Sequence, residues 1–284
     1  MNTRLVTCMY SDLHGTEFGG RASRDHWYLC SLKNELNLHT PIHVFTSESH
    51  RNTLEKLNSE LVNIISEELA ALPVYKKIKD LKETNVLEPM RCYEIMYSKT
   101  HWLRKIIDTT EADYYYWIDA GLSHNGLFPP HLLREGDESY CEKYFNFSVF
   151  NERLIPSIND IAGDKLYCIC FDQSIRPWQQ PIDSKYVNSK PMKKIHTIGG
   201  MFGGKKDIVK WFCDEFDNRL KTILEDGKLF NEEQIYTAII SDNIDRAVPQ
   251  YFNSWYYPGN ELYNGWTSNI DNVIEFYKIF THER

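Results

Sequence analysis

The chain has fewer basic than acidic residues, and it has no long apolar run. The 284 residues include 32 lysines and arginines against 40 aspartates and glutamates, a formal net charge of -8. Proteins that wrap nucleic acid usually show a basic face, so this balance argues against a nucleic-acid partner. No run of about 18 apolar residues occurs, which predicts no transmembrane segment.

The N-terminus also lacks the apolar stretch of a signal peptide, so we expect a cytoplasmic protein. No basic amphipathic helix is evident that would make membrane attachment obvious. Peripheral association with an inner membrane therefore stays open at this point.

The cysteines lack the pairing that a disulfide framework or a zinc site requires. There are seven, an odd number, scattered and without a Cys-x-x-Cys pair. Cys168 and Cys170 alternate as in a strand, which puts both thiols on one face, but no further ligands stand out nearby. The pattern favours reduced, buried thiols in a reducing compartment.

What the chain does have is an alternation of strand and helix patterns. Strand-like runs at residues 5–10, 41–46 and 61–65 are separated by helical spacing over residues 24–38 and 51–57. This alternation predicts an α/β fold with a parallel, doubly wound sheet of the Rossmann type, flanked by helices. No linker or composition break divides the chain, so we predict a single domain of residues 1–284.

The middle of the chain is less regular. Residues 66–88 are charged without a clean period and are interpreted as a surface excursion or a mobile segment. Residues 89–108 predict one long helix beginning at Pro89, with two adjacent apolar stripes. Lys99 lies inside one stripe, so its ammonium either extends to the surface or points into a pocket.

The second half contains further patterns of both kinds. Strands are predicted at residues 144–150, 166–171 and 194–202, and helices at residues 205–226, 232–241 and 269–280. Residues 171–191 read as a loop and residues 248–263 as an irregular aromatic tail. Asn231 and Gln234 form a capping box at the start of the helix at 232–241.

The most informative stretch is residues 114–121, with the sequence YYYWIDAG. Aromatic and β-branched residues predict a buried strand, and Asp119 follows at its end, where open α/β sheets bind ligands. Gly121 leaves room for a ligand to approach the backbone. A carboxylate in this position suits a metal ion or a sugar-nucleotide diphosphate. An Asx-turn that merely ends the strand is the structural alternative.

A glycine-rich stretch, GGMFGG at residues 199–204, begins within the predicted strand at residues 194–202 and precedes a helix. Four glycines in six residues cost conformational entropy on folding, which favours a functional reason for them. A tight turn between strand and helix is the alternative. The acidic pair Glu232 and Glu233 has a structural explanation too, because acids in the first turn of a helix favour its dipole.

Four features follow one another along the chain: a helix carrying a lysine, the WIDAG strand, GGMFGG before an amphipathic helix, and EEQ opening another helix. In this order they resemble nucleotide-sugar glycosyltransferases of the GT-A type. More narrowly, the chain resembles the bacterial HtrL/YibB group, found with genes for lipopolysaccharide or capsule. The resemblance implies a nucleotide-binding half at about residues 1–125 and an acceptor-binding half at about residues 126–284. It also implies a GT-A-like mixed sheet.

The resemblance implies roles for individual residues. Contacts to the base or ribose would come from Thr7, Tyr10, Ser11 and Thr46. Lys99 would meet the diphosphate, and the sugar site would be shaped by Gly199, Gly200 and Phe202. Glu233 would take the acceptor proton or clamp the sugar, with Asp214 behind it.

Asp119 matches the first carboxylate of the Asp-x-Asp metal motif of that family, but Gly121 stands where the second would be. A divalent cation, Mn²⁺ or Mg²⁺, prefers several oxygen ligands, so His124 or His196 could complete the site. Alternatively no metal is used, and Lys99 with another cation neutralises the leaving diphosphate. A lone strand histidine such as His196 is more commonly structural.

These observations predict a glycosyltransferase that moves a sugar from a nucleoside diphosphate sugar donor to a bacterial surface glycan or lipid-linked acceptor. The missing second carboxylate leaves open a non-catalytic protein that binds sugar nucleotides or glycans. A hydrolase with two catalytic carboxylates is a third possibility, ranked last because the sequence offers no acidic pair at the strand ends.

Overall fold

A seven-stranded mixed sheet forms the centre of the protein. The computed structural model describes residues 1–10, 25–84, 92–120, 152–171, 182, 184–187 and 196–252. The strand order is β3-β2-β1-β4-β6-β5-β7. The strands are β1 (Thr3–Cys8), β2 (Ile42–Thr46), β3 (Val62–Ser66), β4 (Tyr114–Ile118), β5 (Leu166–Phe171), β6 (His196–Lys205) and β7 (Ala247–Phe252).

One strand runs against the others. Strand β6 pairs antiparallel with both β4 and β5, whereas the remaining neighbouring pairs are parallel. Within the described ranges this makes a single continuous sheet, and the predicted α/β fold class is confirmed. The all-parallel sheet that the alternation predicts is wrong at β6, whereas the mixed sheet implied by the resemblance is confirmed. The strand order changes direction between β1 and β4, so a crevice opens at the carboxyl ends of these two strands. Open α/β sheets bind ligands at such a point.

Helices cover both faces of the sheet. They are α1 (Asp25–Glu35), α2 (Glu48–Glu55), α3 (Tyr75–Thr84), α4 (Tyr93–Met96), α5 (Lys99–Thr109), α6 (Leu154–Ala162), α7 (Lys206–Glu225) and α8 (Glu232–Asp242). One core contains buried residues of α3, α5, α7 and α8 against one face of the sheet. A second core contains buried residues of α1, α2 and α6 against the other face.

Strand β4 belongs to both cores, as its aromatic sequence predicts. Tyr115 and Trp117 enter the first core, and Tyr114, Tyr116 and Ile118 enter the second. The buried hydroxyls are bonded: Tyr115 donates to the carbonyl of Thr110 at 2.8 Å, and Tyr116 donates to Asn159 Oδ1 at 2.9 Å. A strand apolar on both faces occupies the middle of a sheet covered on both sides, and this fixes where Asp119 emerges.

Residues 66–88 were predicted to be a surface excursion, and this was wrong for residues 75–84, which form α3. Ile78 is 0% exposed and Leu81 is 8% exposed beneath it. The four lysines of this helix dilute the apolar signal, and only one side of the helix is buried. A short helix with two core positions leaves little periodicity to detect.

The single helix predicted at residues 89–108 is two helices, α4 and α5, separated by Tyr97 and Ser98. Pro89, its predicted start, lies outside the described residues. Both predicted stripes are largely buried, including Trp102, Leu103 and Ile107. The break makes Lys99 the first residue of α5, which places its side chain at the same end of the sheet as Asp119.

The strand predicted at residues 194–202 is β6, which begins at His196 and continues through all four glycines to Lys205. The alternative of a tight turn at these glycines is therefore wrong. Helix α6 and strand β7 were missed, and β7 occupies the beginning of the predicted irregular tail. The elements predicted at residues 144–150 and 269–280 lie outside the described residues, as does most of the loop at 171–191, of which Ser184–Tyr186 forms a 3-10 turn.

The described helices include none that is long and apolar enough for a membrane crossing.

Gly203 is expected to be required for the pairing of β6 with β4. A Cβ at this position would lie 2.2 Å from the carbonyl oxygen of Tyr115 and 2.5 Å from the Tyr116 ring. Gly203→Ala should therefore lower the free energy of unfolding by about 3 kcal/mol, as overpacking in a rigid core does. Denaturant unfolding measures this.

The control is Gly227→Ala. Gly227 has φ +69, and an added Cβ would meet Leu81 only at 3.9 Å, an ordinary contact, so this change should cost about 1 kcal/mol of backbone strain. Equal losses in the two variants would contradict the close packing at Gly203.

Candidate functional site

A buried ammonium group organises the carboxyl end of the sheet. Lys99 is 4% exposed, and its Nζ lies 2.9 Å from Asp119 Oδ1 and 3.2 Å from Glu232 Oε1. It also donates to the carbonyl of Gly199 at 2.9 Å. An ammonium has three N–H donors, so these three acceptors use them all. Lys99 therefore does not extend to the surface, and its ammonium points into the protein. We call Lys99, Asp119, Gly199 and Glu232 the Lys99 cluster.

Four elements meet in this cluster. Asp119 follows β4, and its amide donates to the carbonyl of Gly200 at 2.8 Å, which extends the β4–β6 pairing by one residue. Lys99 begins α5, and Glu232 begins α8. A Cβ on Gly199 would lie 2.6 Å from Glu232 Oε1 and 2.9 Å from Lys99 Nζ. A glycine is therefore needed there, because any side chain would displace the ion pair.

Asp119 presents one carboxylate oxygen to the protein and one to its surroundings. Oδ1 accepts from Trp117 Nε1 at 2.7 Å and from Lys99 Nζ at 2.9 Å. The side chain is 41% exposed, and among the described residues Oδ2 makes no hydrogen bond. Two donors on one oxygen fix the orientation of the carboxylate, so Oδ2 is preoriented for a cation or a hydroxyl group.

The crevice beside Asp119 includes the end of β1. Burial raises the pKa of the Cys8 thiol, and the nearby carboxylate of Asp119 raises it further. Cys8 is the last residue of β1, so the carboxyl ends of β1 and β4 share one electrostatic environment. This is the point where the strand order reverses.

Glu232 is the buried acid of the cluster. Burial raises its pKa from 4.5 to about 7; Glu233 and Asp119 also raise it, and Lys99 opposes them. Its Oε2 is buried without a hydrogen-bond partner. For Lys99, burial lowers the pKa, but Asp119 and Glu232 outweigh burial, so the net shift is upward. The lysine is thus charged, while Glu232 exchanges its proton near neutral pH.

Glu233 lies next to the cluster, on the more open side. Its Oε1 accepts from the amide of Gly199 at 3.2 Å, and the side chain is half-buried. The predicted capping box is confirmed: Asn231 Oδ1 accepts from the Glu233 amide, and Gln234 Oε1 accepts from the Asn231 amide. Glu233 therefore has a structural bond to β6 beside the Lys99 cluster.

Three residues predicted to contact a base or ribose are buried. Tyr10 donates to the carbonyl of Glu67 at 2.7 Å and stacks on Trp102. Thr46 donates to the carbonyl of Met9 at 2.7 Å. Thr7 is 0% exposed, and its hydroxyl has no hydrogen-bond partner. In this arrangement their side chains support the crevice from beneath.

Two further predicted residues lie elsewhere. Phe202 is 0% exposed and packs against Phe212 and Tyr236 in the core, so its side chain does not face the crevice. Asp214 is 59% exposed and pairs with Arg104 at 2.6 Å.

Three of the predicted site residues lie outside the described residues: Ser11, Gly121 and His124. His196 is the first residue of β6. In the parts of the chain that the structure describes, no group of three His, Cys, Asp or Glu side chains could hold a metal ion.

The sequence interpretation did not separate Glu232 from Glu233, because the capping box accounts for both acids. A signal was present in the apolar spacing of α8. Glu232 lies three and four residues before Ile235 and Tyr236, which are buried, so it shares their helical face. A glutamate on a buried helical face is expected to have a cationic partner, since an unpaired buried charge is costly.

Comparison with known proteins adds the following. No protein-family model matches this chain, and no curated protein matches it. Similar solved structures include 4-diphosphocytidyl-2C-methyl-D-erythritol synthase from Anaerococcus prevotii, with 10% identity, 88% of each chain covered and a TM-score of 0.41. Another is CMP:2-keto-3-deoxy-manno-octonic acid synthetase complexed with CTP, with 9% identity, 100% of each chain covered and a TM-score of 0.39. Likenesses of this degree assign neither an activity nor a ligand to this chain, and membership of the HtrL/YibB group stays a prediction.

The buried position of Glu232 gives a pH prediction. Its folded-state pKa of about 7 lies above the ordinary 4.5, so between these values the folded protein holds a proton that the unfolded chain has lost. Stability that depends on this proton falls as the pH rises from about 4.5 to about 7. Glu232→Gln cannot lose that proton. Compared with the wild type, the variant should therefore lose less stability between pH 5 and pH 7.5.

Denaturant unfolding at the two pH values measures the difference. Glu60→Gln, at an exposed glutamate, serves as the control and should follow the wild type. A Glu232→Gln variant whose stability changes in parallel with the wild type would show that Glu232 does not titrate in this window.

Proposed function

We propose that this protein is a metal-assisted glycosyltransferase that uses a nucleoside diphosphate sugar as donor. The observation that carries the proposal is Asp119, an oriented carboxylate at the crevice between β1 and β4 whose Oδ2 makes no hydrogen bond to the described residues. Nucleotides and their phosphates bind at this position of open α/β sheets. The resemblance of the WIDAG and GGMFGG stretches to GT-A transferases supports the same class.

A divalent cation fits the site on the condition that the donor diphosphate supplies part of its oxygen ligands. Mg²⁺ and similar ions are commonly held by one or two protein carboxylates together with substrate phosphates. Asp119 Oδ2 supplies one such ligand, and the donor diphosphate would supply others. When bound, Mn²⁺ or Mg²⁺ would neutralise the charge that develops on the leaving diphosphate.

The alternative in which Lys99 neutralises the diphosphate has less support. Its three donors are taken by Asp119, Glu232 and Gly199, and its charge is matched by two carboxylates. Lys99 therefore serves Asp119 by holding Oδ1 in place. A phosphate reaching Lys99 would first have to displace one of these partners.

Glu233 is the residue we propose as the base that takes the proton of the acceptor hydroxyl. It is half-buried beside the Gly199 amide, and a base must reach the reacting hydroxyl. Glycine at 199 and 200 would let the sugar lie against the backbone of β6. Asp214, paired with Arg104, has no comparable support as a second catalytic acid.

The acceptor follows only from the resemblance. A bacterial surface glycan, such as lipopolysaccharide or capsule, or a lipid-linked precursor is the proposed class. The acceptor would bind in the half of the chain after residue 125, and the nucleotide in the half before it.

Two other functions are weighed against the same geometry. A non-catalytic sugar-nucleotide binding protein would use Asp119 equally well and would differ in lacking turnover. A two-carboxylate hydrolase gains Asp119 and Glu232, which reach the same ammonium. However, the Glu232 side chain is 6% exposed, so it has little access to a glycan, and this reading is not favoured.

A thermal-shift panel tests the proposal, using UDP-, GDP-, CMP- and dTDP-sugars with and without Mn²⁺. A ligand that binds the folded state alone raises the melting temperature. We expect stabilisation by one nucleotide class, and only when Mn²⁺ is present. Stabilisation by a sugar nucleotide that is independent of metal would contradict the role of Asp119.

Asp119→Asn should remove the Mn²⁺-dependent stabilisation and reduce donor turnover about 100-fold or more, a loss typical of a removed electrostatic contact in an active site. Asn keeps the shape of the side chain and can still accept from Trp117, so the far-ultraviolet spectrum should be unchanged. Asp214→Asn is the control, because Asp214 is exposed on α7, and it should retain near wild-type turnover. Equal turnover in Asp119→Asn and the wild type would overturn the assignment.

A further inference from the structure

A cavity separate from the Lys99 cluster lies between α3, α5 and α7. Its volume is about 420 Å³, and none of the four cluster residues lines it. Its apolar walls include Val74, Tyr97, Leu220 and Leu224. Small-molecule sites have volumes of this order and mostly apolar walls. We call it the α3–α7 groove.

Cationic side chains stand on opposite rims of the α3–α7 groove. Lys77 comes from α3 and Lys221 from α7; both are exposed, and neither has an ion pair within the described ranges. Arg104 also lines the groove, but Asp214 and Asp217 already pair with it at 2.6 and 2.9 Å. Two acidic side chains, Asp217 and Glu225, also line the groove, and Asp217 is one of the partners of Arg104.

The positive charge extends along α3. Lys76 and Lys79 are exposed beside Lys77, while Ile78 and Leu81 anchor the opposite side of the helix in the core. Clustered lysines on the outer face of a helix attract anionic membrane surfaces, and Asp80 is an exposed acidic residue among them. This local excess of positive charge occurs in a chain whose net charge is -8.

We propose that the α3–α7 groove binds an anionic membrane phospholipid. Part of an acyl chain would lie on the apolar walls, and the phosphate would face Lys77 and Lys221. The walls gain from removing methylene groups from water, and unpaired lysines gain from an anionic headgroup. A free inorganic phosphate would satisfy the lysines alone and would leave the walls in water.

Co-sedimentation of the full chain with vesicles tests the proposal. Vesicles of phosphatidylcholine with phosphatidylglycerol are compared with vesicles of phosphatidylcholine alone, and binding is expected to the anionic vesicles. The double variant Lys77→Gln and Lys221→Gln should bind them about 25-fold more weakly, because each lysine near such a surface contributes about fivefold. The double control Lys56→Gln and Lys165→Gln removes the same charge at exposed positions elsewhere and should bind like the wild type.

A second variant tests the groove itself. Val74→Trp would fill part of it while keeping every lysine, and it should weaken vesicle binding; a melting curve confirms that it folds. Binding of the folded Val74→Trp variant at the wild-type level would overturn the proposal. So would equal binding of wild type and the Lys77/Lys221 variant, or equal binding to the two kinds of vesicle.

The source of the anion is tested by competition. Inorganic phosphate and sodium chloride are added at equal ionic strength, and both are expected to weaken binding to the same degree through screening. Release by phosphate where chloride has no effect would show that the groove is a phosphate site, and would overturn the lipid assignment. None of these measurements requires a sugar nucleotide, so the lipid site and the proposed transferase activity can fail independently.

Discussion

The arrangement of the candidate site depends on one buried ammonium. A charge in a protein interior is tolerated only when it is paired and fully hydrogen-bonded. Lys99 meets this requirement with acceptors from three other elements: Asp119 after β4, Gly199 in β6 and Glu232 at the start of α8. Because each acceptor is needed, the ammonium fixes the relative positions of two strands and two helices at one edge of the sheet.

The direction of β6 explains how a glycine backbone reaches that edge. The parallel strands end there, but β6 runs the other way, so its first half passes the end of β4. Met201 pairs with Ile118, and the carbonyl of Gly200 accepts from the Asp119 amide. Gly199 then lies directly above the ion pair, where a Cβ would meet Glu232 Oε1 at 2.6 Å. The glycines of this strand thus have two roles. Gly203 allows close packing of the strands, and Gly199 leaves room for the charged groups.

Features with a strong local signal could be predicted from the sequence. The aromatic strand before Asp119, the amphipathic helix after β6 and the capping box at Asn231 each depend on neighbouring residues. The continuation of β6 through Gly203 and Gly204 could not be predicted in this way. Glycine has low strand propensity, and the close packing at Gly203 involves Tyr115 and Tyr116, which are distant in sequence. Helix α3 was missed for a related reason, since its burial rests on two residues among many lysines.

The site shows the same division. Lys99 and Asp119 could be singled out because a lysine in an apolar stripe and an acid after a buried strand are unusual where they stand. Their contact, however, depends on tertiary packing and has no local sequence signal. The same holds for the pairing of Lys99 with Glu232 and not with Glu233. The two acids are adjacent in one helix cap, and the packing of α8 on β6 determines which of them is buried.

The charge of the cluster limits what can bind beside it. Lys99 contributes one positive charge and faces two carboxylates, so the cluster has a net negative charge whenever Glu232 is ionised. Its pKa of about 7 means that this extra charge is partly relieved at neutral pH. Asp119, with its 41% exposed side chain, is where the negative charge meets the crevice. An anionic diphosphate would be repelled by this surface unless a cation came between them, whereas a divalent ion or a neutral sugar hydroxyl would be attracted. In the proposed transferase, the buried lysine that orients Asp119 would therefore not serve as the counter-ion of the diphosphate, and a metal ion would be the simplest group to take that place.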